Sequence, residues 1–304
     1  MVAGVSGVQG KVVAITGAAR GLGASLARQL TERGARVALL GLEPDELAKV
    51  SAGCAGSRWW ELDVTDADEL ARVSAEAIQH FGRVDVLVVN AGVASGGPFL
   101  YTDQEAFERT IEVNLMGSVR TLRAFLPALV ESKGYSLQIA SLAALAPAPM
   151  MAAYCASKAG VEAFTESVRT EIAGHGVDLG TAYLSWTDTD MVRGADEHRD
   201  LRETRSGLPG VLGKTYPVEP TVAALCDGIE RRAAHVYGQR WVRFIRPIRG
   251  LIAGLTHVAG KRDIAKAEQA FLDEGAGAGS LVGAGGRADH EHSVAHPPSH
   301  SFSA

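Results

Sequence analysis

The chain has 304 residues, with 30 Lys or Arg and 35 Asp or Glu, so its formal net charge at pH 7 is −5. Nucleic-acid-binding proteins usually carry a strong basic excess, so this mild acidity predicts no nucleic-acid partner. Hydrophobic residues make up 46% of the chain, which is enough for a sizeable core in one large domain or two small ones.

The cysteines and the apolar runs indicate the cellular compartment of the protein. Cys54, Cys155 and Cys226 lie far apart, which excludes a disulfide framework and close-set zinc pairs. No histidine stands in a metal-ligand pattern, so we predict no metal site. The N-terminus lacks the charged-then-apolar pattern of a signal peptide, and no run approaches about 18 uncharged apolar residues. These features predict a cytoplasmic protein without a membrane span.

Short apolar runs alternate with longer helical patterns along the chain. Strands are predicted over Val12–Thr16, Arg36–Leu40, Trp59–Leu62, Val84–Asn90, Ser136–Ala140, Asp178–Tyr183 and His235–Tyr237. Helices are predicted over Leu22–Arg33, Pro44–Ala52, Asp66–Phe81, Asp103–Glu131, Met151–Gly174 and Pro220–Arg232. Most of the strand candidates are apolar without strict alternation, as in strands covered on both faces. The repetition predicts an α/β fold with a doubly wound parallel sheet and right-handed crossovers.

Four segments fall outside this alternation. Residues 1–10 are predicted to be a flexible N-terminus. The charged segment Trp186–Pro217 predicts a loop or short helices over the C-terminal edge of the sheet, where ligands bind. Residues 275–304 hold six glycines and four of the nine histidines, which predicts a disordered tail. The segment Arg231–Arg249 has six arginines and no acid, which favours a solvated basic helix over a surface for anionic membranes or a substrate carboxylate.

A glycine-rich loop joins the first strand to the first helix, within Lys11–Gly23. Gly17, Gly21 and Gly23 would permit a tight turn, a close approach of backbone to a pyrophosphate, and close packing of helix on strand. The start of the helix would then present free N–H groups and a positive dipole end to the phosphates. Because the loop stands between a predicted strand and a predicted helix, it indicates dinucleotide binding.

The spacing TGxxxGxG and the motifs that follow it resemble the short-chain dehydrogenase/reductase family. Those motifs, in order, are Asp63-Val64, Asn90-Ala91-Gly92, Asn114, Ser141 and Tyr154-Cys-Ala-Ser-Lys158. The resemblance spans about residues 10 to 240 and implies a single Rossmann-like domain with about seven parallel strands. We expect this catalytic domain to occupy residues 11–274 and to include a substrate loop over residues 186–217.

Tyr154 and Lys158 are four residues apart, which places both side chains on one face of a helix. A free tyrosine has a pKa near 10, and a nearby ammonium would lower that pKa. The pair would therefore let Tyr154 exchange a proton with a substrate oxygen. The resemblance implies that Lys158 also binds the nicotinamide ribose and that Ser141 positions and polarises the substrate oxygen. It further implies that Asn114 holds a water that continues a proton relay.

The resemblance also implies a cofactor-binding set. Asp63 would accept a hydrogen bond from the adenine amino group, with Val64 beside the ring, and Thr189 would contact the carboxamide or the phosphates. Leu184-Ser185 stands where the family usually has Pro-Gly, which predicts a less rigid backbone before Thr189. The full set is Gly17, Arg20, Gly21, Leu22, Gly23, Asp63, Val64, Asn90, Ala91, Gly92, Tyr154, Lys158 and Thr189.

The end of the second strand bears on the choice of cofactor. NAD-preferring relatives usually have an acid there that binds the ribose diol, and this chain has Gly41. A 2′-phosphate is then not repelled, and Arg20 would pair with it, so the sequence slightly favours NADP(H) over NAD(H). Glu43 is available as a replacement acid, which keeps NAD(H) open.

Residues on the expected substrate side are small or apolar: Val93, Ala94, the run Leu142–Met151 and Trp186. Such walls favour a hydrophobic small-molecule substrate. We therefore expect an NAD(P)-dependent oxidoreductase that interconverts a secondary alcohol and a ketone on a terpenoid-, steroid- or polyketide-like skeleton. Tyr154 would be its general acid and base.

Two other functions stay open. An acyl-carrier-protein ketoreductase would meet the carrier's acidic helix through basic residues, and four arginines interleaved with acids are available: Arg193, Arg199, Arg202 and Arg205. A non-catalytic dinucleotide-sensing protein is the other alternative, and such proteins often lose the Tyr or Lys that this chain retains. The resemblance also implies a homodimer or homotetramer that assembles through Asp103–Glu131 and Met151–Gly174.

Overall fold

A seven-stranded parallel sheet forms the centre of the computed structural model, which describes residues 7–208, 210–252, 268–269, 271–273 and 281–296. The strand order is β3-β2-β1-β4-β5-β6-β7. The strands are β1 Val12–Thr16, β2 Arg36–Gly41, β3 Arg58–Glu61, β4 Val86–Val89, β5 Tyr135–Ile139, β6 Asp178–Tyr183 and β7 His235–Tyr237. The order reverses between β1 and β4, which confirms the predicted α/β, Rossmann-like doubly wound sheet.

Helices cover both faces of the sheet. They are α1 Gly21–Glu32, α2 Pro44–Ala52, α3 Ala67–Phe81, α4 Gln104–Ile111, α5 Gly117–Ser132, α6 Ala152–Ile172, α7 Asp190–Glu197, α8 Arg199–Ser206, α9 Val218–Glu230 and α10 Gly283–Ala295. Side chains alternate along each strand, so Val13 and Ile15 of β1 lie in one apolar cluster and Val12 and Ala14 lie in the other. All five residues of β1 are buried, which explains why the strands read as unbroken apolar runs.

The helix predicted over Asp103–Glu131 is divided in two. It begins after Asp103, whose side chain accepts a hydrogen bond from the Ala106 N–H, and α4 ends at Ile111. One π-helical turn, Glu112–Met116, separates α4 from α5. Such turns often occur at functional sites, and this one carries Asn114.

The segment predicted as a substrate loop over residues 186–217 contains α7, α8 and a 3₁₀ turn at Gly210–Leu212. Met191 and Ala195 of α7, together with Leu212, line the same groove as residues that follow the carboxyl ends of the strands. The segment therefore forms one wall of a ligand groove.

The structure differs from the sequence expectation at both ends of the chain. Residues 7–10 form a turn in which Val8 is buried, rather than part of a flexible N-terminus. Residues 281–296 of the expected disordered tail are folded: Leu281 bridges Ser95, and α10 follows. The cause is tertiary, because α10 buries Asp289 in contacts with the rest of the domain. Residues 1–6, 275–280 and 297–304 lie outside the described part.

Three of the six arginines of Arg231–Arg249 form ion pairs within the described part of the chain. The segment forms β7 and two 3₁₀ turns, Arg240–Phe244 and Arg246–Ile248, rather than a solvated basic helix. Arg232 pairs with Asp178, and two more arginines pair with acids of α6, Arg246 with Glu166 and Arg249 with Glu162. In the described ranges, no helix combines the length and apolar character needed to cross a bilayer.

Candidate active site

In the loop between β1 and α1, backbone segments pack closely against each other. Gly17 has φ +64°, and a β-carbon on it would lie 2.9 Å from the Cα of Ala91. A β-carbon on Gly23 would lie 2.1 Å from the carbonyl oxygen of Gly17, closer than any real contact. The Asn90 side chain donates to the carbonyl oxygens of Thr16 and Gly17, at 3.0 Å each. The loop therefore keeps a fixed backbone shape with no side chains at the start of α1. Such a shape leaves backbone N–H groups accessible to an anion.

A groove of about 340 Å³ begins at this loop and continues to the catalytic candidates. It is lined by most of the residues that the sequence singled out: Gly17, Arg20, Gly21, Leu22, Asp63, Val64, Asn90, Ala91, Gly92, Ser141, Tyr154, Lys158 and Thr189. Gly23 packs behind Gly17, and Asn114 is fully buried behind Gly92. One elongated site thus unites the expected cofactor and catalytic residues.

Lys158 is the buried charge of this groove. It is 4% exposed, and its Nζ donates to the carbonyl oxygen of Ile139 at 2.9 Å. Burial lowers the pKa of Lys158 to about 8. The Nζ lies 5.8 Å from the centre of the Tyr154 ring, so the i, i+4 spacing places both groups on one face of α6.

The pKa of Tyr154 moves in the direction opposite to the sequence expectation. Burial raises the pKa of Tyr154, and a hydrogen bond with Ser141 offsets only part of that rise. A nearby ammonium would lower the pKa of a tyrosine, but the desolvation of the Tyr154 side chain outweighs that effect here. Tyr154 in this groove is therefore held in its neutral, protonated form.

Asn114 fixes the backbone beside Tyr154 and Lys158. Its Oδ1 accepts from the Val93 N–H at 2.8 Å, and its Nδ2 donates to the Val93 carbonyl and the Ser157 hydroxyl, each at 2.9 Å. A β-carbon on Gly92 would lie 3.0 Å from Oδ1 of Asn114 and 3.4 Å from Nζ of Lys158. Sequence reasoning missed Ser157, although it stands inside the Tyr154–Lys158 motif.

At the far end of the groove, Asp63 belongs to a charged cluster. Its carboxylate accepts from the N–H and hydroxyl of Thr65, at 2.8 Å each, and from Arg109 at 3.0 Å. Burial alone would raise the pKa of Asp63, but Arg109 and Thr65 outweigh it and hold that pKa below its usual value. Arg109 also binds Asp289 of α10. Neither Arg109 nor Asp289 carries a local sequence signal for this role.

Arg20 is engaged by acids. It forms a two-pronged ion pair with Glu43, which follows β2, and its second terminal nitrogen lies 3.6 Å from a carboxylate oxygen of Asp190. All three side chains line the groove. From the sequence, Arg20 was expected to bind a 2′-phosphate or Glu43 to bind the ribose diol. In the structure the two side chains form an ion pair with each other.

The backbone after β6 is held by a residue that the sequence did not indicate. The Ser185 N–H donates to Oε1 of buried Gln239 at 2.8 Å, and Gln239 in turn donates to Thr221 at 3.0 Å. The expected looseness at Leu184-Ser185 is thereby offset by a side-chain hydrogen bond. The Thr189 side chain faces the glycine loop, because a β-carbon on Gly21 would lie 3.6 Å from it.

The side of the groove beyond Tyr154 is apolar. It is lined by Leu142, Ala143, Ala146, Ala148, Met151, Trp186, Leu208 and Leu212. Cys155 turns away from it, is buried and contacts the backbone of Ala148, which agrees with a packing role. This wall offers dispersion contacts and few polar groups to a ligand.

The groove fits a nicotinamide dinucleotide. The glycine loop leaves room for phosphates where any β-carbon would clash, and Asp63 supplies an acceptor at the far end. Lys158 has three N–H donors, of which one reaches a partner, the Ile139 carbonyl, within the described ranges. The remaining donors are available to a ligand in the groove.

Comparisons with known proteins agree with this geometry. Residues 11–200 match the family model described as short chain dehydrogenase. An uncharacterized oxidoreductase of Staphylococcus epidermidis is 30% identical over 69% of this chain and 93% of its own length. A trans-4-hydroxycyclohexanecarboxylate dehydrogenase of Sinomonas cyclohexanicum is 33% identical over 60% of this chain and 75% of its own. The crystal structure of gox2181 has the same fold, with a TM-score of 0.69, 24% identity, and coverage of 76% of this chain and 95% of that one.

Proposed function

The chain belongs to the short-chain dehydrogenase family and is an oxidoreductase of that family, and on this premise we propose that it interconverts a secondary alcohol and a ketone with NAD(P). The observation that carries the proposal is the buried Lys158 ammonium beside Tyr154, in the same groove as the glycine loop. A buried cation is costly, and groups with strongly shifted pKa values concentrate at functional sites. The spare donors of Lys158 fit a ribose hydroxyl.

In this proposal a bound nicotinamide supplies the hydride chemistry. The glycine loop, Asp63 and Lys158 hold the dinucleotide, and Ser141 orients and polarises the substrate oxygen. Tyr154 gives its phenolic proton to that oxygen in the reducing direction and takes it back in the oxidising direction. Lys158 stabilises the phenolate that forms, because a cation near a phenolate favours the charged form.

The test is Tyr154→Phe, which removes the phenolic proton and keeps the ring. Turnover of a ketone should fall by about 10² to 10⁴-fold, the usual contribution of a general acid or base. The dissociation constants for NAD⁺ and NADP⁺, measured by calorimetry, should stay within about twofold, since the phenol is one contact among many. Tyr101→Phe, at a 42% exposed site outside the groove, is the matched control. Turnover retained by Tyr154→Phe would contradict the mechanism.

The apolar wall supports a hydrophobic substrate on a ring or lipid-like skeleton, such as a terpenoid, steroid or polyketide. The named substrate of the Sinomonas relative is a hydroxylated cyclohexane ring, which is compatible with this class. A panel of cyclic and short polar alcohols and ketones tests the assignment. Activity confined to sugars would refute it.

Cofactor preference rests on Arg20 and Glu43. The sequence slightly favours NADP(H) through Arg20, but the ion pair with Glu43 and the proximity of Asp190 weigh against that preference. Two carboxylates beside the expected ribose site disfavour a 2′-phosphate. Initial rates with each cofactor at equal concentration decide between them.

A carrier-protein ketoreductase is a weaker second candidate. Arg193 pairs with Asp188 at 2.8 Å, and Arg205 pairs with Asp196, so these arginines are already engaged within the chain. Comparison of carrier-bound with free ketoacyl substrates discriminates the two functions. Assembly into a homodimer or homotetramer through Asp103–Glu131 and Met151–Gly174 is part of the proposal and is tested by sedimentation equilibrium.

A further inference from the structure

The C-terminal helix α10 contributes a wall to the dinucleotide groove. Its lining residues are Gly285, Gly286, Ala288 and Asp289, and together with the preceding Val282 they face the same space as the glycine loop and Asp63. The helix comes from the far end of the chain, beyond the residues 11–200 that match the family model. The family match therefore gives no role to α10.

Three kinds of contact dock the start of α10. The Val282 N–H donates to the Ala94 carbonyl at 2.8 Å, next to the bridge between Ser95 and Leu281. Val282 is buried in an apolar cluster with Ala94 and Leu201. A β-carbon on Gly194 of α7 would lie 2.3 Å from the Cα of Gly283, so the two backbones touch.

A buried ion pair fixes the middle of α10. Arg109 donates to both carboxylate oxygens of Asp289, at 2.9 and 2.8 Å, and the Asp289 side chain is 3% exposed. The same guanidinium donates to Asp63 at 3.0 Å and to the Thr65 hydroxyl at 2.9 Å. Asp289 thus orients Arg109, and Arg109 orients the Asp63 carboxylate at the end of the groove.

The side chains of α10 leave the groove open. Gly285, Gly286 and Ala288 line it with almost no volume, and the cavity persists at about 340 Å³ with the helix in place. A segment that occupied the site in place of a ligand would fill it with larger side chains. The small residues instead match a wall built to leave space for a bound molecule.

We propose that α10 is part of the dinucleotide-binding site, with Asp289 as a positioning residue that acts through Arg109 on Asp63. This inference rests on the proposed function, because the ligand of the groove is the dinucleotide assigned above. It adds a C-terminal wall and a cooperating charge pair to the binding site of the family fold.

The test measures binding rather than turnover. NAD⁺, NADP⁺ and 5′-AMP are titrated by calorimetry into the full chain and into three variants. Asp289→Asn removes the charge that holds Arg109, and Gly285→Leu places a side chain beside Arg20, in the groove. Ala295→Leu adds the same side chain at an exposed position on the same helix and serves as the control.

We expect Asp289→Asn and Gly285→Leu to weaken binding of all three ligands by about tenfold, as loss of a charged hydrogen bond or of contact space does. Ala295→Leu should bind as the wild type does. Hydrogen exchange over residues 283–295 should slow when NAD⁺ or NADP⁺ is added to the wild type.

Unchanged affinity in both variants, or exchange in α10 that ignores the dinucleotide, would overturn the inference while leaving the proposed function intact. Tighter binding after deletion of residues 281–304 would overturn it as well, because α10 would then compete with the ligand. A wild-type chain that binds no dinucleotide would instead remove the proposed function itself.

Discussion

At the scale of residues, the Arg20–Glu43 pair sets the charge beside the expected ribose site. Glu43 stands two positions after Gly41, and its side chain reaches back over the groove to Arg20. A guanidinium that is bound by a carboxylate in two-pronged geometry is a poorer partner for an added phosphate than a free one. We therefore expect the pair to influence cofactor choice through both of its members.

Glu43→Gln should shift the cofactor preference towards NADP(H). The change removes a negative charge near a 2′-phosphate and frees Arg20 to bind it, so the ratio of kcat/KM for NADPH over NADH should rise by about tenfold or more. Glu46→Gln is the control, because Glu46 pairs with Lys49 on the same helix and does not line the groove. A ratio that stays constant or falls would show that Glu43 does not face the ribose.

At the scale of elements, short irregular turns place two of the expected catalytic side chains, Asn114 and Ser141. The π turn at Glu112–Met116 carries Asn114 into contact with Val93, and Ser141, two residues after β5, caps the 3₁₀ turn Leu142–Ala144. The strand–loop–helix junction at Gly17–Gly23 brings the start of α1 against the end of β1. These junctions bring Asn114, Ser141 and the glycine loop to the groove, and the regular helix α6 supplies Tyr154 and Lys158.

Gly23→Ala tests the junction between β1 and α1. Because the new methyl group would lie 2.1 Å from the Gly17 carbonyl oxygen, backbone must move, which costs about 1–3 kcal/mol of unfolding free energy. The displaced loop should also lose measurable NAD⁺ and NADP⁺ binding. Gly174→Ala, at a site with no atom within 4 Å of the added carbon, should leave both properties near wild type. Retained affinity in Gly23→Ala would mean that the loop does not cradle the phosphates.

At the scale of the whole molecule, the buried charge of Lys158 lowers the stability of the fold. Unfolding hydrates the ammonium, so the fall of its pKa from 10.5 to about 8 on folding corresponds to roughly 3 kcal/mol against the folded state. The full penalty applies below pH 8, where Lys158 is protonated in both states. It diminishes between pH 8 and 10.5, where only the unfolded chain holds the proton, and it is absent above that range.

The free energy of unfolding of the wild type should therefore rise relative to that of Lys158→Met from about pH 7 to about pH 10. Denaturant titration at both pH values measures the difference, which should approach 3 kcal/mol as a rough upper bound. Lys49→Met, at an exposed lysine on α2, should show no such rise, because Glu46 raises the pKa of Lys49 in the folded state instead of burial lowering it. A parallel pH dependence of wild type and Lys158→Met would contradict the burial of this charge.

The sequence by itself determined the class of fold and placed Tyr154 and Lys158, the expected catalytic pair, on one helix. Local signals carry this information: β1 is an apolar run, Gly17–Gly23 follows it at fixed spacing, and Tyr154 and Lys158 share a helix face through one turn of separation. The bounds of the strands were predicted to within two residues at each end, because apolar runs and the glycines and polar residues that end them are local features of the sequence.

Only the tertiary structure decided the pairing of Arg20 with Glu43, the support of Ser185 by Gln239, and the docking of α10 through Asp289. Each of these contacts joins residues that are distant in the chain, and the sequence around either residue does not indicate its partner. The direction of the Tyr154 pKa was likewise decided by burial, which no spacing reveals. The polar, glycine-rich tail was predicted to be disordered because its composition cannot form a core alone. Residues 281–296 nevertheless fold, because Asp289 pairs with the buried Arg109 and the helix packs against the rest of the domain.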